Sequence, residues 1–188
     1  LASIFIAACC ITACSSEDDE NDETTATNSF DRSLMLSNWA DNIIVPAYEN
    51  FVAETNALKA ASETFQSEPN LDHLSALREQ WEKAYVSWQN VEMFNIGPAQ
   101  DVVLRSFLNT YPTNSDNIDS FIQNQNYNLL DSNLNDEQGF PALDYLLYGL
   151  ADTDGELLDL YNHTTNGEDY VKYLVDVSTR IDDLASDV

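Results

Sequence analysis

The sequence has few basic residues and little histidine, and its cysteines are confined to the first fourteen positions. Seven Lys and Arg stand against 33 Asp and Glu, which gives a formal net charge of −26. So few cations cannot form a basic patch, so we expect no nucleic-acid partner and little attraction to anionic membrane surfaces. The excess of acids favours cationic ligands, although a solvated acidic surface is the commoner explanation.

The scarcity of cysteine and histidine also limits the chemistry. Cysteines occur only at positions 9, 10 and 14, so the rest of the chain can form neither a disulfide nor a cysteine-ligated zinc site. His73 and His163 are far apart, and no HExxH motif occurs. We interpret both histidines as exposed polar residues. Phosphate-binding glycine loops and the Gly-x-Ser-x-Gly motif of hydrolases are also absent from the sequence.

A long apolar run opens the sequence. Residues 1–14, LASIFIAACCITAC, are too few to span a membrane and are typical of the apolar core of a signal peptide. The final four, Ile-Thr-Ala-Cys, fit a lipobox, which makes Cys14 the lipidated first residue of a mature lipoprotein, held in the membrane by its lipid. The alternative is an ordinary secretory signal with a chance cysteine. The chain begins at Leu1 without Met and stops at Val188 inside a helical pattern, so we interpret it as lacking both ends.

Residues 15–29 form an acidic segment. Its sequence, SSEDDENDETTATNS, contains six acids and no apolar residue except Ala26. This composition predicts a disordered, self-repelling tether. An acidic run directly after a lipidated cysteine resembles the signal that carries some Gram-negative lipoproteins to the cell surface, and a plain spacer is the alternative. We therefore expect an outer-membrane lipoprotein that faces the periplasm or the cell surface.

From Phe30 onward, apolar residues recur at steps of three and four, which predicts helices. No run of alternating β-branched residues predicts a strand. We interpret residues 152–155 as a turn, because a calcium loop in that register would lack its first and twelfth ligands. The fold class predicted for residues 30–188 is all-α, a helical bundle. The predicted helices cover residues 31–66 (with a kink at Pro46), 71–95, 99–109, 117–123, a short segment within 139–149, and 169–187.

The short segment 139–149 holds a single acid among apolar residues. Pro141 suits a first helical position, and Gly149 suits the left-handed residue after a helix end, so a buried helix is predicted between them. Asp144 shares a helical face with apolar neighbours. A buried carboxylate must be paired, hydrogen-bonded or bound to a metal. We therefore expect Asp144 to be either a structural cap or the floor of a site.

Other acids are also predicted to lie near apolar surface. Glu92 continues the aromatic stripe of the second long helix, and Asp101 and Asp119 fall in apolar helical segments. Carboxylates that converge in a helical bundle can hold a divalent or ferric ion. The sequence thus predicts a metal site made by Asp144, Glu92 and Asp119, with Glu92 close to Asp144. For Glu92, a salt bridge to a cation such as Arg105 is the favoured alternative.

Three groups of residues form a recognisable set. They are Pro46-Ala47; Trp81-x6-Trp88-x3-Glu92-x-Phe94 followed by Gly97-Pro98-Ala99; and Gly139-Phe140-Pro141-Ala142-Leu143-Asp144. Together they resemble the imelysin family, also called peptidase family M75, which includes iron-regulated envelope proteins. The resemblance covers residues 30–188 and implies an all-helical fold of two related bundles, of which this chain holds the first.

The resemblance also implies a functional cleft marked by a Gly-x-His-x-x-Glu motif. Gly139 matches its glycine, Pro141 stands at its histidine and Asp144 stands at its glutamate. Because proline has no side-chain donor or lone pair, that ligand is missing, which argues against a zinc-peptidase mechanism and against a family-like metal site. Asp144 keeps a carboxylate that is one methylene shorter than the glutamate of the motif.

We therefore expect an envelope-anchored lipoprotein that binds a metal, iron or another divalent ion, as a component of metal acquisition. Components of iron uptake would be its partners. One alternative is an M75-type metallopeptidase, and another is a surface interaction protein that keeps the fold without a metal. Metal-assisted hydrolysis needs a held metal with an open position and a base, so the missing histidine argues against the enzyme.

Overall fold

The structure is a computed structural model that describes residues 30–188. The chain divides into two units, Leu1–Arg32 and Ser33–Val188, and the architecture given below is that of the second unit. The predicted signal peptide, the lipidation site at Cys14 and the acidic tether lie outside the described residues and stay predictions.

Every regular element between residues 30 and 188 is a helix, which confirms the prediction of an all-α fold. Within the same residues, no helix is both long enough and apolar enough to cross a membrane. In chain order the elements are α1 (Arg32–Trp39), a π-helical turn (Ala40–Ile44), α2 (Val45–Ser67), α3 (Leu71–Val91), α4 (Pro98–Asp101), α5 (Leu104–Leu108), α6 (Ser115–Asn124), α7 (Gly139–Asp144), a second π-helical turn (Tyr145–Gly149), α8 (Asp154–His163) and α9 (Gly167–Ser186).

The predicted first helix is present as α1 and α2 with a π-helical turn between them. The N–H of Val45 bonds to the oxygen of Ala40, five residues back, and Pro46 follows at the start of α2. Proline has no N–H for the regular helical ladder, and its ring crowds the preceding turn. The irregularity predicted at Pro46 therefore takes the form of a wider turn directly before it.

The core lies between α2, α3 and α9, because α2 packs against both of the other long helices. Fully burying one such side chain contributes about 1.5–3 kcal/mol, so this seam contributes substantially to the stability of the fold. The helix α7, which carries the candidate site, packs in turn against α9, α5 and α3. The completely buried side chains of the seam include Phe51, Leu58, Phe65, Leu74, Leu174, Val177 and Ile181.

A polar contact crosses the seam between α2 and α9. Asp182 is 6% exposed, and its carboxylate lies 3.4 Å from the Lys59 ammonium and accepts a 3.3 Å hydrogen bond from the Thr55 hydroxyl. Removing one partner of a buried pair leaves the other uncompensated, which is costly. The pair therefore favours this one alignment of α2 against α9.

Two predicted helices are shorter or divided in the structure. The second long helix ends at Val91 and not at residue 95. The segment predicted at 99–109 is split into α4 and α5, because Val103 between them adopts the left-handed conformation with φ of 54°. Valine rarely adopts this conformation, so a valine at position 103 does not predict a break between two helices.

The helix α8 was not predicted. Thr153 caps it, since the Thr153 hydroxyl oxygen accepts a 3.3 Å hydrogen bond from the Glu156 N–H. Asp154 and Gly155, interpreted from the sequence as part of a turn, already belong to the helix. Its inner face buries Leu157 and Tyr161, whose spacing of four residues was the available signal.

Candidate functional site

The motif glycine, Gly139, lies where α7 begins and touches the end of α5. Its φ is +80°, a conformation that residues with a side chain rarely adopt. A Cβ at this position would lie 2.4 Å from the carbonyl oxygens of Phe107 and Leu108. The residue must therefore be glycine, because both its conformation and the close approach of α5 exclude a side chain.

Two buried polar residues precede this glycine. Gln138 is fully buried and donates a 3.1 Å hydrogen bond to the carbonyl oxygen of Leu129. Glu137 is 2% exposed; one carboxylate oxygen accepts from the Asn117 amide at 2.8 Å, and the other has no hydrogen-bond partner among the described residues. Burial raises the pKa of the Glu137 carboxyl above its ordinary value.

The helix predicted within 139–149 exists, with three corrections to its details. It begins at Gly139, so Pro141 is its third residue, still in the first turn where a missing N–H costs nothing. Its last turn is π-helical and includes Gly149, which does not have a positive φ. Glycine suits this position for a different reason, because a Cβ there would lie 2.7 Å from the ring of Tyr145.

The prediction that Asp144 is buried is wrong, because its side chain is exposed. The buried side of the helix is formed by Leu143, Leu146 and Leu147, and Asp144 lies one step around it, on the side of Tyr148. The carboxylate is nevertheless partly desolvated by the walls of a cleft, and this raises the pKa of Asp144 above its ordinary value.

Asp144 lines a cleft of about 690 Å³ between α3, α7 and the loop that follows α5. None of the described Lys, Arg or His residues forms an ion pair with the Asp144 carboxylate. The cleft is thus acidic at one point and aromatic around it, and we call it the aromatic cleft. Its main lining residues besides Asp144 are Trp81, Tyr85, Tyr111, Phe140, Pro141 and Tyr148.

The aromatic rings of α3 form one wall of the cleft. Trp81 and Tyr85 are stacked with their centroids 5.6 Å apart and their planes 15° apart. The Tyr148 ring meets Trp81 edge-on at 5.9 Å, and Tyr85 contacts Phe140 at 5.2 Å. The Trp81 indole N–H donates a 3.2 Å hydrogen bond to the carbonyl oxygen of Phe140. These contacts fix the rings of α3 against α7.

Arg78, one turn before Trp81 on α3, secures the π-helical turn. Its guanidinium donates hydrogen bonds to the Leu147 carbonyl oxygen at 3.1 and 2.7 Å and pairs with Asp154 at 2.7 Å. The same guanidinium lies 4.4 Å from the centre of the Tyr148 ring. Tyr148 therefore already interacts with one cation through its π face.

The other predicted metal ligands are used elsewhere. Glu92 pairs with Arg105 at 3.1 Å, so the salt-bridge alternative for Glu92 is confirmed. Asp119 accepts hydrogen bonds from the hydroxyls of Tyr145, at 2.9 and 3.0 Å, and of Tyr170, at 3.0 Å. Asp119 thus joins α6 to the second π-helical turn and to α9. Asp144, in contrast, faces the cleft.

The carboxylate of Asp119 also affects its two tyrosine partners. Burial first, and the nearby carboxylate second, raise the pKa of Tyr170 to about 12. The pKa of Tyr145 rises further in the same direction for the same causes. Both hydroxyls therefore stay protonated at neutral pH and remain donors to Asp119.

The described residues do not fit a resident metal ion. Between residues 30 and 188, no three His, Cys, Asp or Glu side chains lie close enough together to hold one. A divalent or ferric ion needs several such donors. Asp144 supplies a single carboxylate in the aromatic cleft, and Pro141, at the motif position of a histidine, supplies none.

Neither histidine provides a missing ligand. His163 is 75% exposed in its side chain and lies 4.0 Å from Asp159 on the same helix. His73 is partly buried at the start of α3, where its backbone N–H donates a 2.8 Å hydrogen bond to the Asn70 side chain. His73 Nδ1 also contacts the Glu68 carbonyl oxygen at 2.8 Å. The expected exposure thus holds for His163, whereas His73 is part of a helix cap.

Comparison with known proteins places this helical chain in one family. The sequence model of the family described as imelysin, peptidase M75, matches residues 44–188. The chain therefore belongs to the imelysin family.

Two proteins are similar to this chain, one in sequence and one in structure. Iron-regulated protein A of Synechococcus elongatus is 26% identical over 145 residues, which are 77% of this chain and 39% of that protein. A crystal structure of an iron-regulated protein A precursor from Parabacteroides distasonis has the same fold, with a TM-score of 0.69 at 22% identity over 82% of this chain and 43% of that one. The chain thus spans about two fifths of the length of the relatives that it matches.

Proposed function

We propose that this chain is a cation-binding component of a bacterial envelope, that it acts in the acquisition of iron or another metal, and that Asp144 in the aromatic cleft contributes one ligand to the binding site. The observation that carries the proposal is Asp144, a carboxylate without an ion-pair partner among the described residues, in a cleft of about 690 Å³. Partial desolvation strengthens the attraction of this charge for a cation.

Two wider features support the proposal. The net charge of −26 raises the local concentration of cations around the molecule. The relative from Synechococcus elongatus is named iron-regulated protein A, which makes iron the first metal to test. A metal at Asp144 would require more donors than the described residues offer, so no catalytic step is assigned to one.

Two other functions fit the same fold. An M75-type peptidase would need a metal with an open position and a base, and the cleft offers one carboxylate beside Pro141. A surface interaction protein without a metal would need no charge at Asp144. We favour the binding role because the one acid of this helix faces the cleft and is paired with no cation between residues 30 and 188.

We further propose that Cys14 carries a lipid anchor and that residues 15–29 separate the folded part from the outer membrane. The anchor would hold the cleft at the membrane, where components of iron uptake could receive the bound cation. The lipobox at residues 11–14 and the acidic segment after it support this location.

Isothermal titration of the wild-type chain and the Asp144→Asn variant tests the binding role. Asn keeps the shape and removes the charge, so we expect its affinity for Fe²⁺, Mn²⁺ or Zn²⁺ to fall about tenfold or more, which corresponds to about 1.4 kcal/mol. Titrations in 150 mM NaCl suppress weak binding to the acidic surface.

The matched control is Asp101→Asn, which removes an exposed acid that does not line the cleft. We expect this control to bind metal like the wild type and both variants to melt at the wild-type temperature. Equal metal affinity of the wild type and Asp144→Asn would reject the proposed site.

A further inference from the structure

The aromatic cleft has the composition of a site for organic cations. Trp81 and Tyr85 present stacked rings, and the edge-on Tyr148 extends the same wall. Aromatic faces attract cations through their quadrupole, with Trp the strongest of the three. Asp144, which lines the same cleft, adds a full negative charge.

The residues that line the aromatic cleft are poorly suited to bind a bare metal ion. Metal ions of the hard and borderline classes exchange strongly held water for several oxygen or nitrogen ligands. The cleft offers one carboxylate, and no group of three metal-ligating side chains exists between residues 30 and 188. An alkylated ammonium group is weakly hydrated and diffuse in charge, so it needs only aromatic faces and one counter-ion.

We propose that the aromatic cleft binds an organic cation through an alkylated ammonium group, with Asp144 as the counter-ion and Trp81 and Tyr85 as the aromatic wall. The inference rests on the proposed function in taking this cleft as a cation site, and it names the chemical class of the ligand. The contact between the Arg78 guanidinium and Tyr148, 4.4 Å from the ring centre, shows one ring of this wall already pairing with an organic cation of the chain itself.

Choline is a suitable probe, because 3,3-dimethyl-1-butanol has nearly the same shape without the charge. We expect choline to bind the wild-type chain in isothermal titration, and the neutral analogue to bind at least tenfold more weakly. Asp144→Asn should weaken choline binding at least tenfold. Asp101→Asn, which removes an exposed acid outside the cleft, should change it less than twofold.

The ring wall is tested by Tyr85→Leu, which should weaken choline binding at least threefold while the melting temperature stays within a few degrees of the wild type. If Tyr85→Leu does not fold, Tyr148→Leu tests the same wall, since that ring is 46% exposed and its loss leaves less of the core uncovered. Absence of choline binding, equal binding of the neutral analogue, or no effect of Asp144→Asn would each overturn the inference.

The same proteins titrated with Mn²⁺ separate the two proposals. Metal binding that depends on Asp144 without choline binding would overturn the organic-cation inference and leave the proposed metal role standing. Choline binding that depends on Asp144 without metal binding would support the inference and remove the metal from the proposed function. If neither choline nor metal binds in a way that depends on Asp144, the cleft is not a cation site.

Discussion

At the scale of single residues, three acids show how surroundings decide what a carboxylate does. Asp182 is buried and paired with Lys59, so it serves the alignment of α2 and α9. Asp119 accepts two tyrosine hydroxyls and joins three elements. Asp144 contacts no cation of residues 30–188 and faces the aromatic cleft, so it alone of the three remains available for a ligand.

Glu137 is a fourth case, because it is buried with one oxygen unpaired among the described residues. Burial raises its pKa in the folded state, so the folded chain keeps this proton at pH values where the unfolded chain has released it. The contribution of Glu137 to stability therefore falls as pH rises from below the unfolded pKa to above the folded one. The glutamine side chain cannot ionise, so the stability of the Glu137→Gln variant should not show this fall with rising pH.

We expect Glu137→Gln to be more stable than the wild type at pH 7 and to lose this advantage at pH 4. Urea unfolding followed by circular dichroism at a series of pH values measures the difference. Glu63→Gln, at an exposed position of α2, is the control and should show no such trend. A difference between Glu137→Gln and the wild type that stays constant with pH would contradict the assignment.

Asp144 shows where residue-level reasoning from the sequence reached its limit. Steps of three and four residues correctly grouped the leucines of this helix on its buried face. The same steps placed Asp144 on that face, although it lies one step outside it. A six-residue helix followed by a π-helical turn is too short for periodicity to fix its buried face that closely.

At the scale of elements, the long helices were predictable and the short ones only in part. The apolar stripes of α2, α3 and α9 run for 20 residues or more, so their period is unambiguous. The helix α8 has 10 residues and begins in a polar segment that also suits a turn. The break at Val103 depends on the packing around α4 and α5, which local sequence does not encode.

The contact between α7 and α5 gives an element-level prediction. Gly139→Ala places a methyl group 2.4 Å from two carbonyl oxygens of α5 and forces alanine into a left-handed conformation. Overpacking and the conformational penalty together should cost about 2–4 kcal/mol of unfolding free energy. Chemical denaturation monitored by circular dichroism measures this loss.

Gly155→Ala in α8 is the matched control. A Cβ there meets nothing within 4 Å, and alanine is a better helix former than glycine. We expect the control to be as stable as the wild type or slightly more so. If Gly139→Ala were equally well tolerated, the close approach of α5 would not be the reason for the motif glycine.

At the scale of the whole molecule, the chain is an imelysin-family bundle that spans about two fifths of its relatives. The family could be predicted from the sequence because its motifs lie at the points where backbone geometry leaves little choice, such as Gly139 and Pro46. The class of ligand could not be predicted from the sequence, because it depends on which side chains meet across the cleft. Trp81 and Tyr85 belong to the aromatic stripe of the second long helix, and only the structure shows that their half-buried rings line the cleft.

The remaining prediction concerns how the whole molecule is held at the membrane. In a Gram-negative host, the full chain with its native leader should be found in the membrane fraction and should incorporate labelled palmitate. Cys14→Ser should abolish the label and release the protein, because none of the helices in residues 30–188 can span a membrane and the net charge of −26 opposes contact with anionic lipids. Cys10→Ser, which changes a nearby cysteine outside the lipobox, should stay labelled and membrane-bound. A Cys14→Ser protein that remains with membranes in 1 M NaCl, where surface electrostatics are screened, would show that another part of the chain provides the anchor.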